Sequence, residues 1–337
     1  MGADWPPVVP GNAGIMDPQP PTTSRRLDGA RTVFVLRALG LGDALTGVPA
    51  LRGLRRAYPD SRLLLGTTEE VGAWLASMGV VDEVVPTDGL AVAPRCRRPD
   101  VAVNLHGCGP QSHRVLQRTM ATTLVGFRCP AADFTAGPAW DQSAHEVDRW
   151  CTLSRWAGGP CDRSDLRLPR PPRGEPSSVI VHPGAAAASR RWPVDRWRQV
   201  IAGLAGERVL VTGGPSEAEL CAAVCAGSAA ECRAGTSLAA VAALVAHTGL
   251  LISGDTGIAH LATAFGTPSV TLFGPVAPAL WGPAIDLPVH RCIWHDDGRR
   301  GDPHRSSIDP RLESIGVDEV LAAARELLGA RRPRPAR

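Results

Sequence analysis

Two series of short apolar runs, separated by a proline-rich break, constrain this chain more than anything else in it. In the second series SVIVHPG (178–184), RVLVTGG (208–214), GLLISGD (249–255) and PSVTLFG (268–274) each run into a glycine turn. Runs of this length, rich in β-branched residues and closed by turn residues, read as strands buried on both faces. The first series, TVFVLR (32–37), RLLLGT (62–67), DEVVP (82–86) and VAVNL (101–105), has the same rhythm, with a helical pattern in DALTGVPALRGLRRAY (43–58). Strands alternating with amphipathic helices build a parallel sheet covered on both faces. Two such sets predict an α/β protein of two Rossmann-like, doubly wound domains facing each other across a cleft. They would occupy residues 29–160 and 178–329, joined by a linker at 161–177 where proline and charge interrupt the pattern. Residues 1–28 lack periodicity and read as a disordered leader. The end, 330–337, reads as a solvated basic tail in preference to a nucleic-acid arm.

Composition removes several chemistries. The chain has 337 residues, a formal net charge of +3 and 20% charged residues, a balance that points to no nucleic-acid partner. Its basic residues are all arginine. Without lysine there is no P-loop amine for a phosphate and no Schiff base. Nine cysteines are scattered with no CxxC, which argues against a zinc site or disulfide framework and for a reduced, cytoplasmic protein. The start lacks the basic-then-apolar order of a secretory signal, and no run reaches the roughly 18–20 apolar residues of a membrane span. Peripheral contact with the inner membrane face stays open.

Four stretches at strand ends could carry chemistry, because ligands of doubly wound sheets sit outside the carboxyl ends of the strands. In LGLGDALTG (39–47) the third glycine of a dinucleotide fingerprint is replaced by Leu45. Asp43, at the helix start, would repel a pyrophosphate; it is either an N-cap or a general base at the cleft mouth. HPGAAAASRRWP (182–193) puts Arg190 and Arg191 on a small-residue, flexible loop. Guanidinium groups there suit a diphosphate, unless they are solvated neighbours of a structural Trp192. In TGGPSEAEL (212–220), Glu217 or Glu219 could accept from ribose hydroxyls or simply offset the helix dipole. In LISGDTGIAHLATAFGTPSVTLFGP (251–275), free N–H groups at Thr256 and Gly257 would form an anion site, with His260 one turn on as a structural or functional residue. A fifth stretch, WHDDGRRGD (294–302), groups His295, Asp296 and Asp297, but consecutive carboxylates diverge and a hydrated loop is the preferred reading.

The segments LGDALTGVPALRGLRRAYP, HPGAAAASRRWP, GGPSEAE and SGDTGIAHLATAFGTPSVTLFGP, in that order and spacing, resemble the heptosyltransferases of glycosyltransferase family 9. The resemblance spans roughly residues 32–328 and is most diagnostic at Asp255, Thr256, Gly257 and His260. It implies a GT-B fold, transfer of a heptose from an ADP-sugar to lipopolysaccharide core, an inverting mechanism, no cofactor and no metal. Carried over, it makes Asp43 the catalytic base. Arg190 stands where the family has a lysine on the donor diphosphate. Thr256 and Gly257 hold phosphate, Glu217 reaches the nucleoside, and Asp255 and His260 belong to the donor site. NLHGCGPQSHR (104–114) resembles the acceptor-side loop more loosely and gives no roles to His106, Gln111 or His113. The expected partners are a nucleotide-sugar donor and a glycan, glycolipid or small-molecule acceptor. A lysine-free composition points to a GC-rich genome, and a source without lipopolysaccharide would require another envelope glycan or a metabolite as acceptor. Two competing readings are a nucleotide-sugar epimerase, which would turn over donor without acceptor, and a non-catalytic nucleotide-sugar-binding protein. The second has no use for a carboxylate facing the phosphates.

Overall fold

A computed structural model describes residues 29–172, 179–299 and 301–330. The expected leader at 1–28, the tail beyond Ala330 and linker residues 173–177 lie outside the described residues. The first sheet has β1 (Thr32–Leu36), β2 (Arg62–Thr67), β3 (Glu83–Pro86), β4 (Val101–Asn104) and β5 (Thr123–Val125) in the order β3-β2-β1-β4-β5. The second has β6 (Val179–His182), β7 (Val209–Gly213), β8 (Glu231–Ala234), β9 (Leu250–Gly254), β10 (Ser269–Leu272) and β11 (His290–Ile293) in the order β11-β10-β9-β6-β7-β8. Every pairing is parallel. The expected two-domain α/β architecture is what forms.

Both sheets reverse direction of growth once, between β1 and β4 and between β6 and β9. The reversal splays the loops that leave the two neighbouring strands and opens a crevice at their carboxyl ends. Central strands are fully buried, as their unbroken apolar runs require: Val33 to Leu36, Val179 to Val181 and Leu250 to Ile252 are all 0% exposed. In β1 the faces alternate, Phe34 and Leu36 packing with Leu64, Val85 and Leu116, and Val33 and Val35 with the helices opposite. The strands not foreseen from sequence, β5, β8 and β11, lie at sheet edges. The composition of β8 (ECRA) and β11 (HRCI) leaves no apolar run to recognise, and β5 (TLV) is only three residues long.

The first domain's helices are α1 (Leu41–Thr46), α2 (Val48–Ala57), α3 (Glu69–Ser77), α4 (Pro110–Gln117) and α5 (Glu146–Trp156). The second domain adds α6 (Val194–Gly203), α7 (Ala218–Cys225), α8 (Leu238–His247), α9 (Gly257–Phe265), α10 (Pro278–Trp281), α11 (Pro310–Ser314) and α12 (Val317–Gly329). The single helical pattern read over 43–58 is two helices. Gly47 ends α1 and caps α2, whose first turn holds Pro49, a residue without the N–H that a continuous helix would need there. Pro193 is the N-cap of α6.

The described part of the expected linker is an ordered strap. Asp162 and Asp165 form a reciprocal cap, Arg56 pairs with Asp165, Leu166 and Leu168 are 2% exposed, and the Leu168 N–H donates to Ala264 O at 2.9 Å. Close approach of α1 and α9 joins the two switch points: a Cβ on Gly257 would lie 2.9 Å from Leu41 Cβ, and one on Gly42 2.8 Å from His260 Cδ2.

Candidate functional site

On the second domain the switch point presents the ends of β6 and β9. Thr256 caps α9 with extended backbone, but its side chain makes no cap bond, and its Oγ1 is buried without a partner. The Arg190 Nε is buried and unpartnered as well, while its Nη1 donates to the Asp255 carbonyl at 3.3 Å. Buried polar atoms left without partners are costly, and an anion at the N-terminus of α9 would give Thr256 Oγ1 the partner it lacks. The segment carrying Arg190 is not the loose loop expected. It is a 3₁₀ turn (Ala188–Arg190) pinned by Ser189, whose N–H reaches Arg305 O at 3.1 Å and whose hydroxyl reaches Pro303 O at 2.9 Å. Arg191 folds back to donate its Nε to Ala185 O and serves as a brace.

Beside this end lies a cavity of about 280 Å³ lined by His182, Gly184, Glu217, Leu238, Thr256 and Gly257, among others. Glu217 braces its own turn and also lines the cavity. Its Oε2 accepts from the Gly214 N–H at 2.8 Å, and the same carboxylate forms part of the cavity wall. Gly184 has no side chain because Glu217 occupies that space: a Cβ there would stand 2.1 Å from its Oε1. Glu219 is exposed and does not line the cavity. The glycines at these strand ends, Gly184, Gly213 and Gly214, together with Gly40 and Gly42 of the first loop, do not have positive φ. Gly42, Gly184 and Gly213 provide close approach and not a left-handed turn.

Across the cleft, Gly40 is the cap of α1 and Asp43 is its third residue, with no side-chain capping bond, so the N-cap reading of Asp43 is overturned. The carboxylate is 32% exposed and stands 3.9 Å from Arg37 Nη2. Desolvation raises its pKa above the ordinary carboxylate value, against the pull of Arg37 and Arg190. Asp255 is 7% exposed, and burial, with Asp43 adding to it, raises its pKa to about 6. His260, 7% exposed and edge-on to Trp281 with ring centroids 6.0 Å apart, has its pKa pushed down to about 4 by burial, which favours the neutral imidazole.

The looser acceptor-side residues separate. His113 is buried between Asn104, Gly109 O and Phe127 O and is structural. His106 sits half-buried with Nδ1 unpartnered, and burial near Arg37 lowers its pKa to about 4. Gln111 is exposed on α4. His295 bonds Ser314 and Glu319, while Asp297 turns to Arg311. Among the described residues no group of three potential metal ligands converges.

Sequence reasoning passed over Arg37, His145, Glu146 and Trp150. An arginine closing an apolar strand was the available signal, since arginine is almost never fully buried unless paired.

A sequence profile described as glycosyltransferase family 9 (heptosyltransferase) matches residues 140–298. Lipopolysaccharide heptosyltransferase 1 of Escherichia coli K12 is 34% identical over 109 residues, which are 31% of this chain and 34% of that protein. The alignment thus spans about a third of the curated relative's length. Two solved structures share the fold over nearly their whole length. A family 9 glycosyltransferase from Veillonella parvula has a TM-score of 0.71 at 19% identity, covering 89% of this chain and 97% of its own. The E. coli ADP-heptose heptosyltransferase II has a TM-score of 0.71 at 20% identity, covering 89% and 99%. The GT-B expectation therefore holds.

Proposed function

We propose, from its similarity to glycosyltransferase family 9, that the chain is a member of that family and transfers a heptose or similar sugar from an ADP-linked donor to a hydroxyl of a lipopolysaccharide core, another envelope glycan or glycolipid, or a metabolite. The observation that carries this is the opposition of the Thr256–Gly257 helix end, with its unpartnered Thr256 and Arg190 donors, to the Asp43 carboxylate across the cleft. Arg190, Thr256 and Gly257 bind the donor diphosphate. Glu217, in the cavity wall, accepts from the nucleoside's ribose hydroxyls, and Asp255 and His260 close the donor site between them.

The reaction is a single displacement with inversion and no metal. The acceptor oxygen attacks the anomeric carbon, and its proton passes to an Asp43 Oδ. The bond from that carbon to the diphosphate oxygen breaks, and its electron pair leaves with the diphosphate. Arg190 and the helix dipole meet the charge that develops there, the role a cation would otherwise fill. Asp43 can act as base because burial makes it more basic than an ordinary carboxylate.

Two measurements test the proposal. In a thermal-shift panel of ADP-, GDP-, UDP- and TDP-sugars, the ADP-sugars should stabilise the protein most; no response to any of them rejects the donor assignment. Asp43→Asn should lower transfer by ~10²–10⁴-fold with donor affinity unchanged. Retained turnover would remove Asp43 from the mechanism, and donor consumption without acceptor would favour an epimerase.

A further inference from the structure

Behind Asp43 lies an array of buried charges to which the displacement above assigns no role. Arg37, at the end of β1, is 1% exposed and bonded on every side. Its Nε donates to the Asp43 carbonyl and its Nη1 to the Leu105 carbonyl. Nη2 donates to Thr46 Oγ1 at 2.9 Å and to Glu146 Oε1 at 3.3 Å, and the guanidinium carbon lies 4.6 Å from the centre of the Trp150 ring. Glu146 is held as firmly. The Trp150 Nε1–H donates to its Oε1 at 2.6 Å, and Arg149 pairs with its Oε2. The preceding residue, His145, accepts the Val147 N–H on Nδ1 and donates from Nε2 to Gly282 O, 3.0 Å away on the second domain. This carboxylate is therefore fixed relative to both walls of the cleft.

Arg37 is shared between two carboxylates, one buried and one facing the cleft. If Glu146 lost its charge, Arg37 would be a buried cation with Asp43 as its sole counter-ion, and it would draw in and neutralise the group that must accept a proton. The remaining charged or titratable groups around the array are His106 beyond β4, Arg149 on α5, and Arg190, Asp255 and His260 from the second domain. We propose that Glu146 is a positioning residue for the base: acting through Arg37, it holds the Asp43 carboxylate in place and keeps Arg37 from neutralising it. The inference rests on the assignment of Asp43 as base. It accounts for a charge on α5 that touches neither the cavity nor the reacting atoms.

The test reads Asp43 directly. Carboxyl ¹³C resonances of aspartate-labelled protein, with Asp43 assigned by its loss in Asp43→Asn, give its titration midpoint without any turnover. Glu146→Gln can keep its oxygen as acceptor for Trp150 and Arg37; it removes the charge and, because its NH2 then faces Arg149, that pair as well. It should lower the Asp43 midpoint by about one pH unit. Acceptor-dependent release of ADP from ADP-heptose should slow roughly ten- to a hundredfold, with ADP affinity unchanged. Glu146→Asp restores the charge and should recover most of the rate. If Glu146→Gln does not fold, Glu146→Asp, with its carboxylate drawn back from Arg37, should move the midpoint a shorter way in the same direction. An Asp43 midpoint that stays put in the folded variant overturns the proposal. Turnover that survives Asp43→Asn sinks the base assignment instead, and the carboxyl titration still decides the link from Glu146 to Asp43.

Discussion

Thr256, proposed above to hold the donor diphosphate, gives a test of how a binding residue would differ from a stabilising one. Its hydroxyl is buried and unpartnered, a condition that costs a folded protein ~1–3 kcal/mol. Its backbone is extended (φ −145°), which a β-branched residue adopts readily. Thr256→Val keeps the shape and removes the orphan. The ligand-free protein should become more stable by ~1 kcal/mol, seen as a higher thermal midpoint. ADP should bind about tenfold more weakly by calorimetry, because a charge-assisted bond to phosphate is lost. If both quantities fell together, the hydroxyl would be structural.

At the scale of elements, the contact of α1 with α9 decides whether the two walls can work together. Gly42 lies in α1 with ordinary helical backbone, so alanine there suits the helix better by ~1 kcal/mol. The new Cβ would stand 2.8 Å from His260 Cδ2 and 3.4 Å from Gly257 Cα, and α1 must withdraw from α9. Gly42→Ala should therefore leave stability intact and ADP binding nearly so, while kcat falls by at least about tenfold as Asp43 moves off the anomeric carbon. Steady-state kinetics that show a raised KM at full kcat would contradict this. The same contact explains what could be read in advance. Central strands and the Thr256–Gly257 helix end are local patterns, written in consecutive residues. The glycine loop was legible as a loop, but its reason was not, because Gly42 answers to a histidine on another domain. Arg37 and Glu146 are 109 positions apart, and no local period could bring them together. The cap alternative for Asp43 fails for the opposite reason: capping is a local rule, and here a glycine cap leaves the carboxylate free of that role.

Across the whole molecule, the buried histidines set how stability depends on pH. His106, His182, His260 and His290 are pushed down to about 4, and His145 is lowered too, each mainly by desolvation. In the unfolded chain these imidazoles return to about 6.5, so below that value the unfolded state binds more protons than the folded one. Their contribution is fully present above pH 6.5 and is lost as pH falls toward 4. Asp255 works in the other sense: its value is raised to about 6, so it lowers stability as pH rises from 3.8 to that point. Asp43, also raised by desolvation, acts in the same sense as Asp255; two carboxylates oppose five imidazoles, and the thermal midpoint should climb between pH 5 and pH 7. His145 has the most to lose on protonation. Its Nδ1 must stay bare to accept the Val147 N–H, while Nε2 keeps the bond to Gly282 across the cleft. A proton on Nδ1 breaks the cap of α5, the helix that carries Glu146. Acid should therefore impair the site before it unfolds the chain. With ADP-heptose as substrate, turnover near pH 5 should fall by more than protonation of Asp43 alone explains, with the protein still folded by circular dichroism. If turnover tracked the Asp43 titration curve alone, His145 would have no part in the acid response.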